Sequence, residues 1–291
     1  MNFNNLGVKK LIATCHSLLT NGIKIEINEV NDINNDGSID LSDVDYLLKN
    51  SKNTLTLLEE DGDFRSDECI ALLKECDIVV TNPPFSLFRQ YISKLVEYEK
   101  NFIIIGNTNA LTYKEIFKLI KENKLRTGYT NFNVGMYFYV PDDREKYHKI
   151  ENGRKMVRVS TSCWFTNLEV SKHRENLILY KEYNPNEYFS YENYDAINVD
   201  RITDIPVNYN GVVGVPITFL DKYNPEQFEI IGLGISSSGI EIGVKPYTPE
   251  HKRYRKEIQG KAAVDGDLYM IKNGVITVPY ARVLIKKKCI E

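Results

Sequence analysis

Asn82-Pro83-Pro84-Phe85 follows the short apolar run Ile78-Val79-Val80, and those four residue types suit one chemical problem. The exocyclic amine of a flat conjugated ring is a poor nucleophile because its lone pair is delocalised. An amide oxygen from Asn82 and the backbone carbonyl of Pro83 can each accept one N–H of such an amine, which draws the nitrogen toward tetrahedral geometry and localises the lone pair. The two prolines hold these acceptors rigid and keep Asn82 in extended geometry at the end of a strand. Phe85 supplies a flat apolar face on which an extruded base can stack.

The neighbouring residues supply elements that position this turn. From Ser86 onward, Leu87, Phe88, Tyr91, Ile92, Leu95 and Val96 recur at helical spacing and predict an amphipathic helix packed on a sheet. Phe102-Ile103-Ile104-Ile105 reads as a second strand ending in Gly106-Asn107. Strand, helix and strand in this order predict a parallel crossover unit. Thr54 to Leu58 reads as a third strand, so that Asp63, Asn82 and Asn107 are polar stops beyond three strand ends, where open α/β sheets bind ligands.

On these residues the chain resembles the EcoRI-type adenine-specific DNA methyltransferases, S-adenosylmethionine-dependent enzymes. The resemblance runs from about Leu6 to about Lys287. It rests on Gly7 to Thr14, Gly62 to Glu68 and above all Asp77 to Phe88, with further blocks at Cys163 to Asn167, Tyr194 to Val199 and Val215 to Leu220. It implies a Rossmann-like α/β methyltransferase sheet followed by a β-rich target-recognition region. It assigns Asn82, Pro83, Pro84 and Phe85 to holding and stacking a flipped adenine, and Asp63 and Phe64 to the adenine of the cofactor. The reaction implied is direct methyl transfer to adenine N6 in double-stranded DNA, in a restriction-modification or phage setting. Two family features are missing: the loop that approaches the cofactor's methionine, which would precede Gly7, and the acidic residue for its ribose, in whose place stands Thr14-Cys15-His16. A missing N-terminal segment or partner chain is the expectation that follows.

A second pattern lies upstream. Asp32, Asn34, Asp36 and Asp43 occupy positions 1, 3, 5 and 12 of a calcium loop, with Gly37 at position 6 and a carbonyl from Ile39 at 7 or 8. Leu41 to Leu48 supplies an exiting helix, but Gly22 to Val30 alternates like a strand where an entering helix belongs. Structural Ca2+ and a plain Asn/Asp turn, with Asp43 charging the first turn of the helix, are both open readings. Gly232-Leu233-Gly234 and Ser236 to Gly239 resemble a glycine loop, yet Ile240 to Val244 reads as a returning strand and predicts a hairpin.

Composition bounds the rest. A chain of 291 residues with 42% hydrophobic content can bury two cores. Residues 1–182 read as a catalytic domain, N-terminally incomplete, and 183–291 as a DNA target-recognition region. No apolar run reaches the ~20 residues that cross a bilayer, and no signal peptide is present, so a cytoplasmic protein with no membrane partner is expected. Five cysteines without metal spacing read as reduced thiols. The net charge of −3 hides an asymmetry. Thirteen acidic residues face three basic ones between Glu26 and Glu68, whereas Lys245 to Glu291 holds eleven basic against five acidic. Lys252, Arg253, Arg255, Lys256, Arg282 and Lys286 to Lys288 are therefore the expected phosphate-attracting surface. Arg144 to Arg158 reads as a basic mobile loop over the substrate, Lys155 to Thr161, Cys163 to Thr166 and Leu177 to Tyr180 as short strands, and Tyr183 to Tyr209 as an irregular Asn/Tyr/Pro-rich stretch. Trp164 and Phe165 read first as packing and second as walls of a base pocket. Methylation of RNA or of a protein glutamine, and a non-catalytic DNA-binding remnant, are the alternatives.

Overall fold

A computed structural model describes residues 7–37, 39–50, 53–130, 132 and 134–288. The chain divides into two compact units, Met1–Val79 with Lys94–Lys100, and Val80–Ser93 with Asn101–Glu291. The fold is mixed α/β with several separate sheets.

In the first unit, β1 (Leu11–Cys15), β2 (Ile23–Ile27) and β3 (Thr54–Leu57) form an antiparallel sheet in that order. Helix α1 (Leu41–Lys49) enters on Asp40 as its cap, and α2 (Asp67–Glu75) enters on Ser66. Ile27, Val30 and Val44 form a small core, with Ile25, Ile39 and Leu48 packed on it. The buried Asn53 side chain ties the chain after β2, accepting from the Asn28 N–H at 2.9 Å and donating to the Glu29 carbonyl at 3.1 Å. Thr54 to Leu57 is a strand as its pattern predicts, but its partner is β2, so the expected third strand of the sheet around Asn82 lies in a different sheet. Alternating threonine and leucine defines a strand and its two faces; it carries no information on which strand pairs with it.

A four-stranded sheet has the order β4 (Ile78–Thr81), β5 (Asn101–Asn107), β10 (Ser162–Thr166) and β6 (Arg126–Thr127); β10 runs antiparallel to both β5 and β6. Between β4 and β5 the chain forms α3 (Phe88–Glu97), with Phe88, Ile92 and Leu95 each about 1% exposed, as the apolar spacing predicts. Phe88 packs its ring on Phe165, 5.0 Å between centroids. Gly106 of β5 makes room for that pair, since a Cβ there would stand 2.4 Å from the Phe88 ring and 2.9 Å from Phe165. Helix α4 (Lys114–Lys121) buries Ile116, Phe117 and Ile120.

The strands between β6 and β10 form a sheet of their own: β7 (Met136–Tyr139), β8 (Lys149–Glu151) and β9 (Arg154–Val159), with β9 central and both pairings antiparallel. The basic stretch Arg144 to Arg158, expected as a mobile loop, is thus largely an ordered hairpin. Its turn, Asn152-Gly153, has positive φ at both residues (50° and 74°), the signature of a tight type I′ connection.

A further sheet orders β11 (Ile197–Asn198), β12 (Val213–Pro216), β16 (Arg282–Lys287) and β13 (Phe228–Gly234). Three expectations fail here. Ile240 to Val244 is no strand, because α5 (Ser236–Glu241) follows β13 and Gly239 packs so close to Gly266 that a Cβ would meet its carbonyl oxygen at 1.9 Å. Leu177 to Tyr180 is no strand either, since the Gln227 side chain satisfies the Leu177 backbone, accepting at 2.7 Å and donating at 2.8 Å. Arg282 turns inward, bonded to Asn198 at 3.0 Å and Asp200 at 2.9 Å, and is not available for phosphate. The chain then forms α6 (Pro249–Arg253), continued by a π-turn over Tyr254–Ile258, and the hairpin β14 (Met270–Lys272) and β15 (Val275–Thr277). No helix among the described residues is long and apolar enough to cross a membrane. Cys15, Cys69, Cys76 and Cys163 are free thiols, and Cys289 lies outside the described residues.

Candidate active site

The turn after β4 has the form that its sequence demands. Asn82, Pro83 and Pro84 belong to no regular element, Pro84 is extended (φ −54°, ψ 128°), and a single 3-10 turn over Phe85–Leu87 leads into α3. The Pro84 carbonyl accepts from the Leu87 N–H at 2.9 Å and closes that turn. The Asn82 side chain and the Pro83 carbonyl make no hydrogen bond among the described residues. Asn82 is exposed, Pro83 is buried, and the Phe85 ring is 41% exposed. One four-residue turn thus carries two acceptors without a partner among the described residues and an exposed aromatic ring. That arrangement can take two N–H donors from one flat amine while its ring stacks.

Phe88 anchors the chain just after the turn by packing on Phe165, and the end of β5 is also fixed. Asn107 closes β5 and accepts from the Asn109 N–H at 2.8 Å, while the Thr108 N–H donates to the Thr161 carbonyl at 2.8 Å. Phe165 is fully buried and has the packing role expected of it. Trp164 is half-buried, and its carbonyl accepts from the Gly128 N–H at 2.7 Å.

Asp63 and Phe64 lie in the first unit, on the loop between β3 and α2. Both are half-buried. The Asp63 carboxylate is gripped by a residue that sequence reasoning missed: Arg65 donates its backbone N–H (2.8 Å) and Nε–H (2.9 Å) to one oxygen and a guanidinium N–H (2.6 Å) to the other. These bonds hold the Asp63 carboxyl down to about 2, so it is a permanent acceptor at neutral pH. The same guanidinium lies 5.3 Å from the Phe64 ring centroid. A charged carboxylate next to a half-buried ring is the pair that an adenine amine and its ring call for, and a carboxylate has lone pairs beyond those Arg65 uses. The only sequence signal for Arg65 was a cation two residues after an acid.

The calcium reading of Asp32, Asn34, Asp36 and Asp43, one of two left open, finds no support. Among the described residues no group of three or more His, Cys, Asp and Glu is gathered to hold a metal. Asp43 is buried with both oxygens engaged, one accepting from the Ile33 N–H and the other from the Asp40 N–H, each at 2.9 Å. Those backbone bonds, Asp40 first, lower its pKa and make it the third residue of a capping box for α1. Asp32 likewise accepts from the Asp36 and Gly37 N–H groups, at 3.2 and 2.9 Å. The loop is the Asn/Asp turn of the plainer reading.

The expected phosphate surface is also thinned. Besides the internal Arg282, Lys287 donates to the Val207 carbonyl, whereas Lys252, in an exposed pair with Asp265 at 2.9 Å, stays at the surface. Arg253, Lys256, Lys286 and Lys288 are exposed.

Comparison with known proteins places this geometry in context. A family model described as adenine-specific methyltransferase EcoRI matches residues 1–288. The type II methyltransferase M.EcoRI of Escherichia coli is 44% identical over 262 residues, 85% of this chain and 78% of that protein. M.MgeORF184P of Mycoplasma genitalium is 37% identical over 238 residues (79% of this chain, 68% of that protein). M.MpnI of Mycoplasma pneumoniae is 36% identical over 237 residues, with 79% and 67% covered. No solved structure matches.

Proposed function

The chain belongs to the EcoRI family of adenine-specific methyltransferases, and from that premise we propose that it methylates N6 of an adenine flipped out of double-stranded DNA, as the modification enzyme of a restriction-modification or phage system in the cytoplasm. The observation that carries this reading is the pair of acceptors at Asn82 and Pro83 that nothing in the described structure occupies, next to the exposed Phe85 ring. Asn82 and the Pro83 carbonyl accept the two N–H groups of the adenine amine; Pro83 and Pro84 keep them from relaxing away; Phe85 stacks on the base. The amine would take up the sulfonium methyl as its lone pair localises, the electrons of the broken sulfur–carbon bond staying on sulfur as a neutral thioether and the amine proton leaving to solvent, so no covalent bond to the protein is needed.

S-adenosylmethionine supplies an electrophilic methyl group on a sulfonium. Asp63 would accept from the adenine amine of that cofactor and Phe64 would pack on its ring. The methionine end would be met by a loop that a further N-terminal segment or a partner chain contributes. We read β4, α3 and β5 as part of a Rossmann-like sheet, residues 1–182 as the catalytic domain and 183–291 as the region that recognises the DNA site.

The test is methyl incorporation from labelled S-adenosylmethionine into duplex DNA, with hydrolysis to nucleosides to identify the product. N6-methyladenine is the expected product. Incorporation into RNA or a protein glutamine in competition, with none into DNA, overturns the substrate. Cofactor binding without incorporation into any acceptor overturns the enzyme reading.

A further inference from the structure

We propose that the three-stranded sheet of β7, β8 and β9 is an arm that lays one face on the phosphate backbone of the duplex; this deepens the DNA methyltransferase reading and rests on it. The arm is open, with every residue from Pro141 to Arg154 exposed. Its register is fixed by Tyr137 opposite Arg158, Tyr139 and Lys149 opposite Met156, and Glu151 opposite Arg154. Because side chains alternate across a strand, one face carries Tyr137, Tyr139, Lys149, Arg154 and Arg158 with Glu151 as its lone acid. Three cations against one acid stand out on a chain of net charge −3.

The cations are pre-set by the tyrosines. The Arg154 guanidinium lies 4.2 Å from the Tyr139 ring centroid and the Lys149 ammonium 4.9 Å from that of Tyr137. Arg154 is exposed and makes no hydrogen bond or ion pair among the described residues. A guanidinium laid on a ring loses little further freedom when it meets a phosphate, and its planar donor fork suits that anion. Lys149 bonds to Glu151 at 2.9 Å, an exposed pair that a phosphate can displace.

The arm is also held in shape. Lys155 donates to the Asp142 and Arg144 carbonyls at 2.5 and 3.0 Å, pinning the connection between β7 and β8, and the His148 N–H bonds to the Met156 carbonyl at 2.7 Å. Arg158 donates from Nε to the Val134 carbonyl at 3.2 Å at the base. A small antiparallel sheet with one cationic face suits the phosphate backbone, and salt-dependent phosphate contact is its signature.

The test is the salt dependence of binding to a labelled DNA duplex, for the full chain and for two variants. Lys149→Ala with Arg154→Ala removes two arm cations; Lys118→Ala with Lys124→Ala removes two exposed lysines at α4 and just beyond it as the control. The arm variant should bind about tenfold more weakly, and its slope of log affinity on log salt should be smaller by about 2, the loss expected for two phosphate contacts. Arg154→Gln alone should reduce the slope by about 1, and the control should keep the wild-type slope. An unchanged slope in the arm variant, with wild-type protein binding and methylating the duplex, overturns the arm and spares the enzyme reading. A slope change with duplex RNA but not DNA overturns it as well. No binding of wild-type protein to duplex DNA overturns both.

Discussion

Two polar turns in this chain each follow a short strand, and they have used their oxygens in opposite ways. In the Asp32 to Asp43 loop the acceptors are turned inward: Asp43 and Asp32 are taken up by backbone N–H groups, and the loop serves to start α1. In the Asn82 to Phe85 turn the acceptors are left over. Proline explains the difference. Pro84 has no N–H to close a local turn onto the Asn82 amide, and the Leu87 N–H is taken by the Pro84 carbonyl, so the Asn82 and Pro83 acceptors keep no local donor. The chain thereby leaves polar capacity open at one turn and spends it on folding at the other.

The contrast can be broken most strongly at two phenylalanines. Phe88→Ala removes a ring that is 1% exposed and anchors the turn; it should cost about 3–5 kcal/mol of stability. Phe85→Ala removes the open ring and should leave the unfolding midpoint in place, while kcat/KM on DNA falls about 10- to 100-fold through lost stacking. Thermal unfolding and steady-state kinetics of both variants check this; a Phe85 variant as unstable as the Phe88 variant would make Phe85 a core residue. Gly106→Ala comes next, at about 1–3 kcal/mol, because the added methyl collides with the Phe88 and Phe165 rings.

Effects at the inward-turned loop should be smaller. Asp43→Ala strips a capping box and should lower the unfolding midpoint by roughly 2–4 °C without changing turnover. Millimolar calcium against a chelator should leave the wild-type midpoint where it is; a rise with calcium would return the loop to a metal-binding role. The smallest effect concerns pH. The folded pKa of Asp63, about 2, lies below the ordinary carboxylate value, so its pairing with Arg65 stabilises the fold above about pH 4 and is lost as pH falls toward 2. The pair is partly exposed and screened by solvent, so the contribution is small. A carboxylate titration followed by NMR should show Asp63 still charged at pH 3.

The particular residues also show what a sequence can disclose. The strand, turn and helix from Ile78 to Glu97 were legible because proline chemistry and apolar spacing are local. Which strand pairs with Thr54 to Leu57 was not, since alternation fixes a strand's faces and leaves its neighbour open. Arg282 read as a surface cation because charge counts ignore burial, whereas it closes an internal network with Asn198 and Asp200. In the arm the Asn152-Gly153 turn signal was present, yet the basic residues around it suggested a loop. The grip of Arg65 on Asp63 was invisible for a similar reason, since three hydrogen bonds between residues two apart leave no periodic trace.

The central claim is that the unoccupied acceptors at Asn82 do the chemistry and do not hold the fold. Single-turnover methylation of a cognate duplex by Asn82→Ala, with DNA affinity measured on the same protein, tests it most directly. The methylation rate should fall by about 10²–10³-fold with the dissociation constant for DNA within about threefold of wild type. Methylation at the wild-type rate, or a rate loss fully matched by lost DNA binding, would contradict the account.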